Sequence, residues 1–157
     1  MNYVIIMAGG AGTRFWPLST EEKPKQFLDI LGTGKTFLQM TVERFDGILP
    51  KENIYIVTNE KYKPLIKEQI SDIDEDQIIC EPSRNNTAPC ILLAALKIQK
   101  RDPDACCVFV PADHLIFNTT AYQHDILKAL NYAAQHASIV TIGVKPNRPE
   151  TGYGYIK

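Results

Sequence analysis

A chain of 157 residues with net charge −1 is sized for one domain and shows no electrostatic footprint for nucleic acid or a membrane surface. Its 45% hydrophobic and 22% charged residues suit a globular protein with a substantial core. No run is long enough to span a bilayer, and the first apolar run lacks the basic flank and length of a secretory signal, so a cytoplasmic protein is expected.

In chain order, residues 3–7 are apolar, β-branched and followed by glycine, the pattern of a buried strand emptying into a loop. That loop is Gly9-Gly10-Ala11-Gly12-Thr13-Arg14, followed downstream by Pro24-Lys25-Gln26-Phe27. Thr36 is expected to cap a helix carrying Phe37, Leu38, Met40, Thr41 and Phe45, closing near Gly47 and Pro50. Residues 53–57 read as a second strand, 61–70 as an amphipathic helix and 77–80 as a third strand. The turn-rich Glu81-Pro82-Ser83-Arg84-Asn85-Asn86-Thr87-Ala88-Pro89 leads into a helix over 90–100, with Asn86 or Thr87 as its cap. A fourth strand over 105–110 ends at Pro111-Ala112-Asp113-His114, and a helix over 122–135 precedes a strand over 138–144. The last residues, from Pro149, read as a loop entering a fresh strand, so residues 1–157 are expected to be the N-terminal part of a longer protein.

Alternating strands and helices predict an α/β domain, a Rossmann-like, mostly parallel sheet with helices on both faces. Right-handed crossovers bring all strand ends to one edge, where such sheets bind ligands. The glycine loop, the Glu81–Pro89 stretch and Pro111–His114 all follow strand ends and are expected to converge there. The four cysteines have no metal-type spacing and read as small core residues in a reducing compartment, with disulfides the minority reading.

The glycine loop has the chemistry of a phosphate site. Glycines let backbone N–H groups approach an anion, and Arg14 and Lys25 add positive charge as a planar fork and a point charge. A dinucleotide fingerprint fails, because the position that needs its third glycine is Phe15. Gly34-Lys35-Thr36 resembles the end of a P-loop, but Asp29 stands where the first glycine belongs, so it reads as a loop meeting a helix. An ordinary strand-to-helix loop with two solvated cations is the plain alternative for the glycine stretch.

The whole stretch GGAGTRFWPLSTEEKPKQF resembles the signature of the sugar-nucleotide pyrophosphorylases. Its Phe-Trp-Pro-Leu-Ser and Pro-Lys-Gln-Phe forms look most like the mannose-1-phosphate guanylyltransferases. That resemblance implies a nucleotide-diphospho-sugar transferase fold and formation of GDP-mannose and pyrophosphate from GTP and mannose 1-phosphate, with Mg²⁺. It associates Gly9, Gly10, Gly12, Thr13, Arg14 and Lys25 with the phosphates. Arg14 would steady the leaving pyrophosphate, and Lys25 would bridge the two reacting phosphates.

Asp113, in a run that looks like the family's metal segment, is the Mg²⁺ candidate, since this hard cation takes one or two carboxylates beside phosphate and water. Its plain alternative is an Asp capping a turn. His114 reads as a turn-packing residue, because the reaction needs no base. Asn86, Thr87 and Ala88 lie in a stretch resembling the family's nucleobase loop. Tyr153 and Gly154 match its sugar-proximal loop, as wall and close backbone approach. The later Glu-Lys-Pro segment and second metal Asp of such enzymes are not among residues 1–157. Alternatives are another base or sugar, or a nucleotide-binding subunit without catalysis. No nucleic-acid or membrane partner is expected, and homo-oligomerisation is left open.

Overall fold

A computed structural model describes residues 1–10, 15–83, 85–152 and 154–156. Four strands, β1 (Asn2–Met7), β2 (Ile54–Asn59), β3 (Ile78–Glu81) and β4 (Cys106–Pro111), form one sheet. All neighbours pair parallel, in the order β3-β2-β1-β4. β1 is central, with Val4 opposite Ile54 on one side and Val108 on the other. Burial on both faces explains why β1 and β2 read as continuous apolar runs.

Alternate side chains divide between two cores. Val4, Ile6, Ile54 and Ile56 face one way, toward Leu38 of α1 (Phe37–Glu43), Ile66 of α2 (Lys63–Gln69) and Ile126 of α4 (Thr119–His136). Tyr3, Ile5, Tyr55 and Val57 face the other, against Cys90, Ala94 and Ile98 of α3 (Thr87–Arg101). Three helices thus cover one face and α3 covers the other, the three-layer α/β arrangement expected.

Local signals explain the helix starts. Thr36 and Gln39 form a reciprocal capping box, an arrangement whose cap is typically worth about 1 kcal/mol. The Gly34-Lys35-Thr36 loop is no phosphate cradle: the Asp29 carboxylate already accepts from Thr33 N at 3.0 Å and Gly34 N at 2.7 Å. Those bonds, the Thr33 N–H first, hold the Asp29 carboxyl below its ordinary range. Asn118 caps α4 by accepting from Ala121 N at 3.0 Å.

Several expectations change. α3 begins at Thr87, and Asn86 precedes it at φ 65° without a side-chain capping bond. Residues 138–144 form no strand. β4 ends the sheet on that side among the described residues, and the segment stands in solvent, with Ile139 and Val144 each more than nine-tenths exposed. Apolar, β-branched composition makes a segment competent for pairing, but a strand exists only where a neighbour satisfies its backbone. For the same reason the described residues after Pro149 show no strand.

The four cysteines are free. Burial, the main cause in each case, pushes the thiols of Cys80, Cys90 and Cys107 from 9.0 up to about 11. A raised thiol pKa means that the unfolded chain ionises first, so these groups lower stability as pH climbs from 9 toward 11. At pH 8 we expect Cys90 and Cys107 to alkylate slowly with iodoacetamide in the folded protein and rapidly in denaturant, as read by mass spectrometry. Equal rates in both states would contradict the burial.

Candidate functional site

The carboxyl edge of the sheet gathers the chemistry. The ladder continues past the strands: Ala8 N donates to Val57 O at 2.7 Å, and Ala112 N donates to Met7 O at 3.0 Å. The residues just beyond, Gly9-Gly10 after β1 and Asp113 after β4, therefore leave the sheet side by side. β3 ends at Glu81, whose Oε2 would lie 2.9 Å from a Cβ built on Gly9. A side chain at position 9 would make the flexible Glu81 carboxylate shift, and Gly9 does not need a left-handed backbone, which Gly32, Gly34 and Gly47 adopt. Around Gly10 no atom of the described residues comes within 4 Å of where a Cβ would lie. Gly12, Thr13 and Arg14 lie outside the described residues.

A second segment docks beneath the glycine turn. Pro24 leads into a 3₁₀ turn over Lys25–Phe27, and Phe27 is buried against Tyr62, ring centroids 5.7 Å apart. Gln69 Nε2 holds Phe27 O at 3.0 Å. Gln26, only 2% exposed, donates both hydrogens of its amide, to Ala8 O at 2.8 Å and Gly10 O at 2.9 Å. One buried amide thus spans the carbonyls on either side of Gly9, and Thr58 Oγ1 adds a bond to Ala8 O at 3.3 Å. A buried amide bonded to two loop carbonyls fixes the loop, because its loss would cost both bonds inside the protein.

Between these anchors Lys25 reaches the strand ends. Its ammonium pairs with Asp113 Oδ2 and lies 5.6 Å from the centroid of the Phe15 ring. Lys25 and Asp113, 88 residues apart in number, are brought together by the adjacency of β1 and β4. The backbone at Asp113 is held from α1 and from Arg44, the residue that caps its C-terminus. Thr41 Oγ1 donates to Ala112 O at 3.3 Å, and Arg44 Nη2 donates to His114 O at 2.8 Å. The His114 side chain is exposed, so in place of the expected turn-packing role its carbonyl is what ties it to α1.

Asn86, Thr87 and Ala88 stand exposed at the start of α3, the helix that follows Glu81. The first N–H groups of this 15-residue helix have no partner within the helix, and Lys100 and Arg101 complement its dipole at the other end. Gly154 lies in an exposed stretch whose described bonds are local: Tyr155 Oη accepts from Glu150 N at 2.7 Å and donates to Glu150 O at 3.1 Å. No described bond joins that stretch to Lys25 or Asp113. Tyr153 lies outside the described residues.

Sequence pattern singles out neither Gln26 nor the pair Thr41 and Arg44. Gln26 carries a faint signal, a polar residue between Lys25 and an apolar anchor within the signature. Arg44 and Thr41 look like ordinary residues of an amphipathic helix.

Among the described residues no group of three or more His, Cys, Asp or Glu side chains is placed to hold a metal. The donor chemistry that fits a hard cation keeping its waters is the single carboxylate of Asp113 after β4, whose Oδ2 is paired here with the Lys25 ammonium. No helix among the described residues is long and apolar enough to cross a membrane.

Comparison with known proteins places the chain in a family. The family profile described as nucleotidyl transferase matches residues 3–157. A mannose-1-phosphate guanylyltransferase of Escherichia coli is 41% identical over 155 residues, covering 98% of this chain and 32% of the relative. This chain thus spans about a third of the length of the curated relatives it matches. A crystal structure from Thermus thermophilus, named as a mannose-1-phosphate geranyltransferase, superposes with a TM-score of 0.84 at 33% identity, covering 97% of this chain and 44% of that one. A mannose-6-phosphate isomerase from Helicobacter pylori gives a TM-score of 0.75 at 29% identity, covering 96% of this chain and 53% of that one.

Proposed function

The chain belongs to the nucleotidyl transferase family, and from that premise we propose that it is the N-terminal, nucleotide-binding part of a cytoplasmic mannose-1-phosphate guanylyltransferase that makes GDP-mannose and pyrophosphate from GTP and mannose 1-phosphate. The observation that carries the reading is the meeting of Lys25 and Asp113 beside the glycine turn at the carboxyl edge of a parallel sheet. The named function of relatives around 41% identical supports guanine and mannose as the specificity.

The reaction joins a phosphate oxygen of mannose 1-phosphate to the α-phosphorus of GTP as the bond to the β-phosphate oxygen breaks. The nucleophile is already an anion, so no side chain need take a proton. Rate enhancement must come from holding two anions in line and offsetting the charge that gathers on pyrophosphate. In this reading the N–H groups of Gly9, Gly10, Gly12 and Thr13 would bind the phosphates, and Arg14 would steady the leaving pyrophosphate. Lys25 bridges oxygens of the reacting phosphates, placed by the Gln26 bonds that tie its turn to the glycine loop. Asp113 would hold Mg²⁺, which when bound supplies charge neutralisation at the phosphates. Asn86, Thr87 and Ala88 present donors and acceptors to the guanine edge, and a site built on such bonds rejects bases that leave them unpaired. Tyr153 and Gly154 would belong to the sugar side, as the resemblance of their stretch implies.

The test is a thermal shift on the full-length protein with Mg²⁺ and, separately, GTP, UTP, dTTP and ATP. A ligand binding only the folded state stabilises it by about 2.7 kcal/mol at a hundred times its dissociation constant. Stabilisation by GTP well above the other three is expected. Equal shifts with UTP and GTP would overturn the guanine assignment, and no shift with any nucleotide would overturn nucleotide binding.

A further inference from the structure

Arg44 is a guanidinium in an unusual place. It is 5% exposed, and among the described residues no carboxylate forms an ion pair with it. Burying a charge is costly unless other groups compensate. Here the compensation comes from His114 O at 2.8 Å and from the face of Tyr122, whose ring centroid lies 5.3 Å away. α4 reinforces the arrangement through Gln123, whose Nε2 donates to Arg44 O at 2.8 Å. An apolar side chain would fill this position without that burden. Residues that break a local rule while remaining fully packed are expected where function depends on them.

Thr41 adds a second irregularity one helical turn earlier. A threonine inside a helix commonly bonds its hydroxyl back to its own helix. This one is fully buried and donates out of α1 to Ala112 O instead. Three bonds therefore fix the backbone around one residue: Ala112 N to Met7 O, Thr41 Oγ1 to Ala112 O, and Arg44 Nη2 to His114 O. The residue between the two held carbonyls is Asp113.

We infer that Thr41 and Arg44 are positioning residues that fix the Asp113 backbone from α1 and so set the divalent-cation affinity of the site through Asp113 rather than by contact. The inference rests on the reading of Asp113 as the Mg²⁺ carboxylate. With both flanking carbonyls tied, side-chain rotation is the main freedom left to Asp113. Loss of either tie lets the carboxylate swing away from the cation and from Lys25. Hydrogen-bonding partners behind metal ligands typically govern affinity by roughly 10- to 100-fold.

The experiment titrates Mg²⁺ into the full-length protein with GTP and records GTP binding calorimetrically, without turnover. Thr41→Val and Arg44→Met are expected to raise the Mg²⁺ concentration for half-maximal binding by about 10-fold or more. Arg44→Lys, which keeps the charge and one donor, is expected to fall between Arg44→Met and wild type. GTP affinity in EDTA should stay at the wild-type value for all three. A role confined to packing would lower the melting temperature without moving the Mg²⁺ midpoint, and that result overturns the inference. Asp113→Asn is the benchmark. If it moves the midpoint and the α1 variants do not, positioning fails while the metal reading stands. If Asp113→Asn leaves the midpoint unmoved, both fall together. Should Arg44→Met fail to fold, Thr41→Val decides alone, since it removes one hydroxyl at nearly constant volume.

Discussion

Lys25→Ala in the full-length protein is expected to reduce turnover with GTP and mannose 1-phosphate by at least about 10²-fold, the usual loss when one preorganised charge is removed from an electrostatic site. The loss should appear in kcat, because an ammonium bridging the reacting phosphates gains most when charge redistributes between them. The melting temperature should be recorded alongside, because the Lys25 and Asp113 side chains are only 20% and 25% exposed and removing one partner leaves the other charge poorly compensated. Lys25→Arg should recover only part of the rate, since a planar fork does not replace a point charge between two phosphates. Steady-state kinetics at saturating substrates is the measurement, and a kcat within a few-fold of wild type for Lys25→Ala would remove Lys25 from the mechanism.

Asp113→Ala is expected to produce a loss of similar size, about 10²-fold or more, for a different reason. Removal of the carboxylate takes away the proposed Mg²⁺ ligand and also leaves the Lys25 ammonium without its partner. The two variants should therefore combine non-additively: residues in direct contact couple, so the double variant should fall well short of the product of the single losses. Raising Mg²⁺ should restore part of the Asp113→Ala activity and none of the Lys25→Ala loss. Wild-type activity at ordinary Mg²⁺ in Asp113→Ala would exclude Asp113 as the cation ligand.

These two predictions depend on a contact that was only half legible in the sequence. Each residue stands in a recognisable run, Pro-Lys-Gln-Phe or Pro-Ala-Asp-His, and each run follows an element whose end could be placed by pattern. Their meeting follows from the strand order, which puts β4 against β1. Chain order alone cannot dictate this, because a parallel sheet can add its fourth strand at either edge. Gln26 was still less legible. Its spacing says nothing of two carbonyls at positions 8 and 10, and only docking of the Lys25–Phe27 turn brings its amide within 2.8 and 2.9 Å of them.

By itself the sequence determined the elements wherever one local term dominates. β-branched apolar runs made β1, β2 and β4, the Thr36–Gln39 capping box started α1, and an Asp at position 29 ruled out a P-loop that the structure shows to be closed by that same carboxylate. Tertiary structure decided whatever needed a partner distant in the chain. Residues 138–144 have strand composition but no ladder, since hydrogen bonds to a neighbour, not side-chain preference, complete a strand. Asn86 has a capping residue's chemistry but sits at φ 65°, where its side chain makes no cap. Thr41 and Arg44 have helix-surface chemistry yet turn inward to the Asp113 backbone. Local propensity acts over a few residues, whereas burial and pairing are settled only when segments some 70 residues apart close on one another.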